Sequence, residues 1–181
     1  MFFACTLDFL ITSESYLYFN LANEDFRSSK TPKFSNRIKV WKPNRFSKHY
    51  LIPESKYIHL WHMITGFYYE VWYVENQEHE IVHHSVVHAK YFKFPFMQEK
   101  DLQIGLVRTA VKYRNKGLAT NMVNHIVSNY KSEGNKIWYI TQNHNKESIK
   151  IAAKNGATIP LNGCKKYFDV PLLRKFSQYL Q

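Results

Sequence analysis

The sequence predicts a mixed α/β fold of the α+β class, and three observations predict it. From about 67 to 111, short segments rich in aromatic and β-branched residues follow one another with turn residues between them. From 102 to 157, strand-like and helix-like periodicities alternate. No Pro/Gly/Ser-rich linker, internal repeat or low-complexity segment divides the 181 residues, a length that one domain can fill.

Residues 1–60 are the least legible, and 65–170 carry the readable core of a single domain spanning 1–181. Asn23 to Lys48 is polar and basic, with Pro32 and Pro43 interrupting any long element, and reads as loop and short helix. Phe67 to Val74 reads as a strand, Glu75 to Glu78 as a turn and Ile81 to Tyr91 as the hairpin partner. Pro95 breaks the pattern before a third meander strand over Leu102 to Val111. Leu118, Met122, Val123, Ile126, Val127 and Tyr130 recur as the apolar stripe of a helix starting at about Gly117. Lys136 to Thr141 is another strand. A second helix follows, with Asn145 as N-cap, Gly156 as C-cap and a stripe of Ile149, Ala152 and Ala153. Ala157 to Leu161 and Lys166 to Val170 read as a short hairpin across Asn162-Gly163, and Leu172 to Leu180 as a closing helix.

The most informative stretch is Tyr113-Arg114-Asn115-Lys116-Gly117-Leu118-Ala119-Thr120. A strand that runs through a basic, Gly-containing turn into a helix leaves the first-turn N–H groups unpaired at the positive end of the helix dipole. Such a turn binds anions. The spacing Arg114-x-x-Gly117-x-Ala119 resembles the pyrophosphate-binding signature of the GNAT superfamily of acyl-CoA-dependent N-acyltransferases. Asn145-x-x-Ser148, followed by a helix, resembles the second signature of that superfamily. The resemblance covers Leu102 to about Phe168. Phe94-Pro95-Phe96, with Gln103-Ile104-Gly105 and Thr109, looks like members found beside sugar and polysaccharide biosynthesis.

The resemblance implies a central, mostly antiparallel sheet in which two parallel strands, here Leu102 to Val111 and Lys136 to Thr141, splay to admit acetyl-CoA or another acyl-CoA as co-substrate. It assigns backbone contacts to Val107, Thr109 and Val111, and pyrophosphate contacts to Arg114, Asn115, Lys116, Gly117, Leu118, Ala119 and Thr120. Asn145 and Ser148 are placed beside the pantetheine arm. The implied reaction is direct transfer of an acyl group to a primary amine in a ternary complex, with an amino sugar or sugar nucleotide as acceptor.

Acyl transfer from a thioester needs a neutral amine, a polarised carbonyl and a proton for the thiolate. Many relatives carry a tyrosine seven residues after the Asn; here that position is Ala152. Tyr139 and Tyr167 are the alternative hydroxyls. For the base, Leu102 to Val111 offers no carboxylate, so the candidates are His84 and His88, which strict alternation puts on one face with Val82 and Val86, and His144 in the loop before the second helix. His79, His83, His84 and His88 cluster in sequence, but alternation divides them between faces and no metal site is expected.

A formal net charge of +11 points to anionic ligands, which coenzyme A would satisfy. A basic nucleic-acid-binding module is the competing class, without any RNP, zinc-finger or helix-turn-helix pattern to support it. A GNAT-like protein that binds CoA without catalysis is the third reading. The expected partner is a small-molecule amine, with neither membrane nor nucleic acid, and a homo-oligomer is left open. Cys5 and Cys164 form no CxxC motif, and Met1 to Thr12 lacks a basic leader, so a cytoplasmic setting is expected.

Overall fold

A computed structural model describes residues 11–21, 37–44, 47, 51–53, 56, 60, 68–90, 96–131, 136–157, 161–168 and 177–180. In chain order its strands are β1 (Ile11–Asn20), β2 (Ile38–Trp41), β3 (Tyr69–Glu75), β4 (Ile81–Ala89) and β5 (Leu102–Thr109). A 3₁₀ turn (Val111–Tyr113) and helix α1 (Leu118–Tyr130) follow. Next come β6 (Ile137–Gln142), α2 (Lys146–Lys154), β7 (Leu161–Phe168) and β8 (Ser177–Leu180). The strands form one sheet in the order β2-β3-β4-β5-β6-β1-β7-β8. Among the described residues, β5 and β6 run parallel and the other neighbours antiparallel. This is the mixed sheet expected of the α+β class, flanked among the described residues by α1 and α2.

The α1 stripe is buried as its periodicity requires. Leu118, Met122, Val123, Ile126, Val127 and Tyr130 pack with Trp72, Val74, Val87, Leu102 and Ile104 in the main apolar cluster. Each fully buried side chain of this size contributes roughly 1.5–3 kcal/mol. The end of α1 is tied to β3 by Glu70, a carboxylate only 4% exposed. Glu70 accepts from Tyr130 Oη, from Trp72 Nε1 at 3.0 Å and from Lys42 Nζ at 2.6 Å. A buried carboxylate is tolerated only with donors of this kind around it.

Helix α2 has the predicted ends. Asn145 Oδ1 accepts from the Ser148 amide at 3.1 Å. At the other end Gly156 adopts φ +82°, with Ala157 N–H on the Ala152 carbonyl and Gly156 N–H on that of Ala153, a Schellman closure. Its apolar stripe differs by one residue: Ala153 is exposed, while Ile149 and Ile151 pack beside buried Ala152.

Four expectations are corrected. The hairpin across Asn162-Gly163 does not form: β7 runs straight through both residues, because Gly163 is paired with Tyr16 on one side and Leu180 on the other. Ser177 to Leu180 of the expected closing helix is strand, held in the ladder by β7; 169–176 lie outside the described residues. The stretch read as loop and short helix contains β2, an edge strand paired with β3. Finally, β5 ends at Thr109, so Val111 belongs to the 3₁₀ turn. Phe67 and Tyr91, the outer ends of the predicted hairpin strands, lie outside the described residues.

Candidate active site

β5 and β6 pair over three positions, Leu102 with Ile137, Gln103 with Trp138 and Ile104 with Tyr139, and the ladder stops there. Beyond this vertex β5 bends. On β4, Ser85 alone stands opposite the two β5 residues Leu106 and Val107, since His84 pairs with Arg108 and Val86 with Gly105. That is a β-bulge. Leu106 takes up the bulge with φ +48°, a left-handed conformation that costs a non-glycine residue of the order of 1 kcal/mol or more. The bulge increases local twist and turns β5 away from β6.

A buried imidazole braces the bulge. His83, 1% exposed, has Nδ1 2.8 Å from Thr109 Oγ1 and Nε2 3.2 Å from Ser85 Oγ. It thereby links the residue opposite the bulge to the end of β5. Burial, with a smaller contribution from neighbouring His84, lowers its pKa to about 3, so the ring is neutral.

The opening widens into a groove of about 850 Å³ between the C-terminal half of β5, the start of α1 and one face of α2. Asn115 (φ +60°) and Gly117 (φ +77°) both take left-handed conformations at its floor. The φ of Gly117 is what calls for glycine there, since a Cβ would meet Asn121 Nδ2 at an ordinary 3.7 Å. No side chain caps α1 and its first turn holds no acidic residue. The first-turn N–H groups are therefore presented to the groove, the arrangement that suits phosphate oxygens. Arg114 is fixed beside them by donating from Nε to the Thr109 carbonyl at 3.2 Å.

The groove gathers most of the residues expected to hold a cofactor: Val107, Thr109, Arg114, Asn115, Gly117, Leu118, Ala119, Thr120, Asn145 and Ser148 all line it. Val111 and Lys116 do not. Val111 lies past the end of β5 and is 74% exposed. The Lys116 ammonium sits over the Tyr113 ring, 4.9 Å from its centroid. Sequence reasoning missed Arg108, Lys150 and Lys154, which also line the groove. The signal was present for the two lysines: Glu147, Lys150, Ile151 and Lys154 recur at helical spacing, and Ser148 marks the same side of α2.

The candidate catalytic residues separate. His84 lines the groove. His88 does not line it, although β4 keeps unbroken register with β3 from His83 to His88, so that His84, Val86 and His88 lie on one face as alternation predicts. Val82 is the exception to the predicted face: the register with β3 shifts at Val74/Glu75 and skips it. Val82 joins the α1 cluster, while Val86 joins a second cluster with Ile52, Tyr69 and Val71. His88, 6% exposed, donates from Nδ1 to the Ala89 carbonyl at 2.9 Å. His144 is exposed outside the groove. Tyr139 is 2% exposed at the vertex, and burial raises its hydroxyl pKa, partly offset by a hydrogen bond with Ser148. Tyr167 was expected on a strand neighbouring the site; β7 is separated from β6 by β1, so the Tyr167 backbone stands two strands from β6, roughly 10 Å away. Among the described residues, no group of three or more His, Cys, Asp or Glu could hold a metal ion, and no helix is long and apolar enough to cross a membrane.

Comparison with known proteins agrees with this geometry. The profile of the acetyltransferase (GNAT) family matches residues 36–157. A GNAT-family structure from Novosphingobium aromaticivorans superposes with a TM-score of 0.53 at 12% identity, over 86% of this chain and 64% of that one. An acetyltransferase of the GNAT family from Colwellia psychrerythraea gives 0.52 at 12% identity, over 84% and 54%. A Drosophila protein gives 0.53 at 10% identity, over 85% and 51%. The chain thus spans between about half and two thirds of the length of these structures, and at such identities the likeness is one of fold. No curated protein sequence matches it significantly. The family match over two thirds of the chain, together with the splayed strand pair and the uncapped helix start below it, establishes that this protein belongs to the GNAT family of acetyltransferases.

Proposed function

We propose that the chain is an acyl-CoA-dependent N-acetyltransferase that joins an acyl group to a primary amine by direct transfer within a ternary complex. The observation that carries this reading is the convergence, in one groove, of an uncapped helix start and a strand end stripped of its partner. A molecule with a diphosphate at one end and an amide-bearing arm at the other suits both: the amides of Leu118, Ala119 and Thr120 would hold the diphosphate, and the backbone from Val107 to Thr109 would pair with the arm. Acetyl-CoA supplies the thioester. Arg108, Arg114, Lys150 and Lys154 give the groove the positive charge such a co-substrate needs.

In the transfer, the amine nitrogen forms the new C–N bond, the C–S bond breaks with its electron pair going to sulfur, the amine loses a proton and the thiolate gains one. His84, in the groove, and His88, across the sheet from Gln103, are the candidate proton acceptors. With Ala152 in place of a hydroxyl, the candidate hydroxyls are Ser148, which lines the groove, and Tyr139, which is hydrogen-bonded to Ser148. A thiol is itself an adequate leaving group near its pKa, so an assigned acid is dispensable. An amino sugar or sugar nucleotide is the proposed acceptor, and the domain is proposed to act as one unit within a cytoplasmic setting.

The test is thermal unfolding with acetyl-CoA, with ATP as an anion control, followed by CoA release across a panel of amines. Ligand at about 100 times its Kd should stabilise by about 2.7 kcal/mol and raise Tm by several degrees. Equal shifts with ATP, or no CoA release with any amine, would count against the reading.

A further inference from the structure

Leu102 and Ile104 on β5 point into the α1 cluster, so Gln103 between them points to the opposite face of the sheet. Its cross-strand partner is His88, whose own partner on β3 is Tyr69, a member of the second apolar cluster. Gln103 is 6% exposed, and its Oε1 has no hydrogen-bond partner. A buried oxygen left unpaired destabilises the resting protein and is seldom found in native structures without a reason. Asn155 Oδ1 is also unpaired, but that residue caps the far end of α2 through Nδ2 to the Ile151 carbonyl. Gln103 instead stands one residue before the vertex, where β5 and β6 part after Ile104.

The next residue on the same face is Gly105. A Cβ placed there would lie 3.7 Å from both Gln103 Nε2 and His88 Nε2, so the glycine leaves a small space bordered by two polar side chains. Rotation about the last side-chain bond of Gln103 exchanges its oxygen and NH2 group, so either end can be turned to a ligand. The nearby carboxylates are engaged elsewhere. Asp101 accepts from the Gln98 amide at 2.9 Å and from Trp138 Nε1 at 2.8 Å, and Glu70 is held by Lys42, Trp72 and Tyr130. Among the described residues, the patch around Gly105 therefore carries hydrogen-bonding groups without an available negative charge.

Resting on the acyl-transfer reading above, we propose that the Gln103 carboxamide receives the acceptor amine at this patch, and that its neutrality selects weakly basic amines. An ammonium ion would give up its hydration for a group that offers no charge in return. The amine therefore binds neutral. At pH 7.4 a lysine-like amine of pKa ~10.4 is only about 0.1% neutral, whereas one of pKa ~7.5 is roughly half neutral. The acceptor class is an amine whose basicity is lowered by neighbouring electronegative or aromatic groups.

The experiment is steady-state kinetics on the full chain with acetyl-CoA and amines of graded pKa, for the wild type, Gln103→Leu and Gln103→Glu, with acetyl-CoA affinity measured separately by calorimetry. The wild type should favour amines of pKa below about 8.5. Gln103→Leu should raise the amine KM at least tenfold, leave acetyl-CoA Kd within twofold and raise the ligand-free Tm. Gln103→Glu should shift preference toward strongly basic amines. Gln103→Met, closer in shape, replaces the leucine variant if that one does not fold. An amine KM unchanged in Leu or Met variants, or wild-type preference for lysine-like amines, overturns the proposal while leaving acyl transfer standing. Acetyl-CoA binding with no amine acetylated overturns both.

Discussion

The two strands that border the opening are held in different ways. β6 is paired with β5 as far as Tyr139, and β1 lies along its other edge to Gln142. β5 loses β6 after Ile104 and carries both the register shift and the left-handed Leu106. The opening is therefore made by one strand bending away from a neighbour that stays clamped. A cleft built this way keeps a rigid wall and places its irregularity where backbone groups must turn toward a ligand.

The largest effect should come from loosening the clamped wall. Phe19 on β1 stands opposite Tyr139 and is 3% exposed. Phe19→Ala should lower unfolding free energy by about 3–5 kcal/mol in urea titrations; a loss below ~1 kcal/mol would mean β1 contributes little to the wall.

The brace on the bending strand should appear as acid sensitivity. His83 has a folded pKa of about 3 against an ordinary value of 6.5. The unfolded chain therefore takes up a proton that the folded one refuses. Stability linked to His83 is complete above about pH 6.5 and declines as pH falls toward 3, by at most ~1.4 kcal/mol per pH unit. His83→Asn should flatten that decline. Equal slopes in both proteins would remove His83 as its source.

A smaller effect separates the strands by backbone alone. Leu106→Val places a β-branched residue at φ +48° and should cost about 1–2 kcal/mol, whereas Leu106→Gly should stay within ~1 kcal/mol as relief of strain offsets added chain entropy. Equal losses would show that packing governs the bulge. Smallest in stability is Arg114→Ala. This exposed side chain should change unfolding free energy by no more than ~0.5 kcal/mol, yet weaken acetyl-CoA binding about tenfold, read by calorimetry at low and high salt.

The legible parts of this molecule were those specified by neighbours in sequence. The α1 stripe, the Asn145 cap and the helix start at Gly117 each depend on residues within a turn or two, and the groove follows from them. What escaped was set by distant pairing. Asn162-Gly163 has the chemistry of a tight turn, but ladder bonds to β1 and β8 on both edges keep it extended. The departure of Val82 from the face of Val86 could not be read by counting in twos, because a bulge is written in the pairing of two strands rather than in either one. Arg108 reaches the groove for the same reason.

The position of β1 also bears on how the chain reaches this arrangement. Asn20 is paired with Trp138 and Ile11 with Phe168, so the strand in the middle of the β6-β1-β7 trio is translated long before either neighbour. Such pairings close large loops and form late, which slows folding relative to the local β3-β4 hairpin. Until β7 is made, β1 has an open edge, and the newborn chain has its greatest exposure to wrong strand partners in that interval.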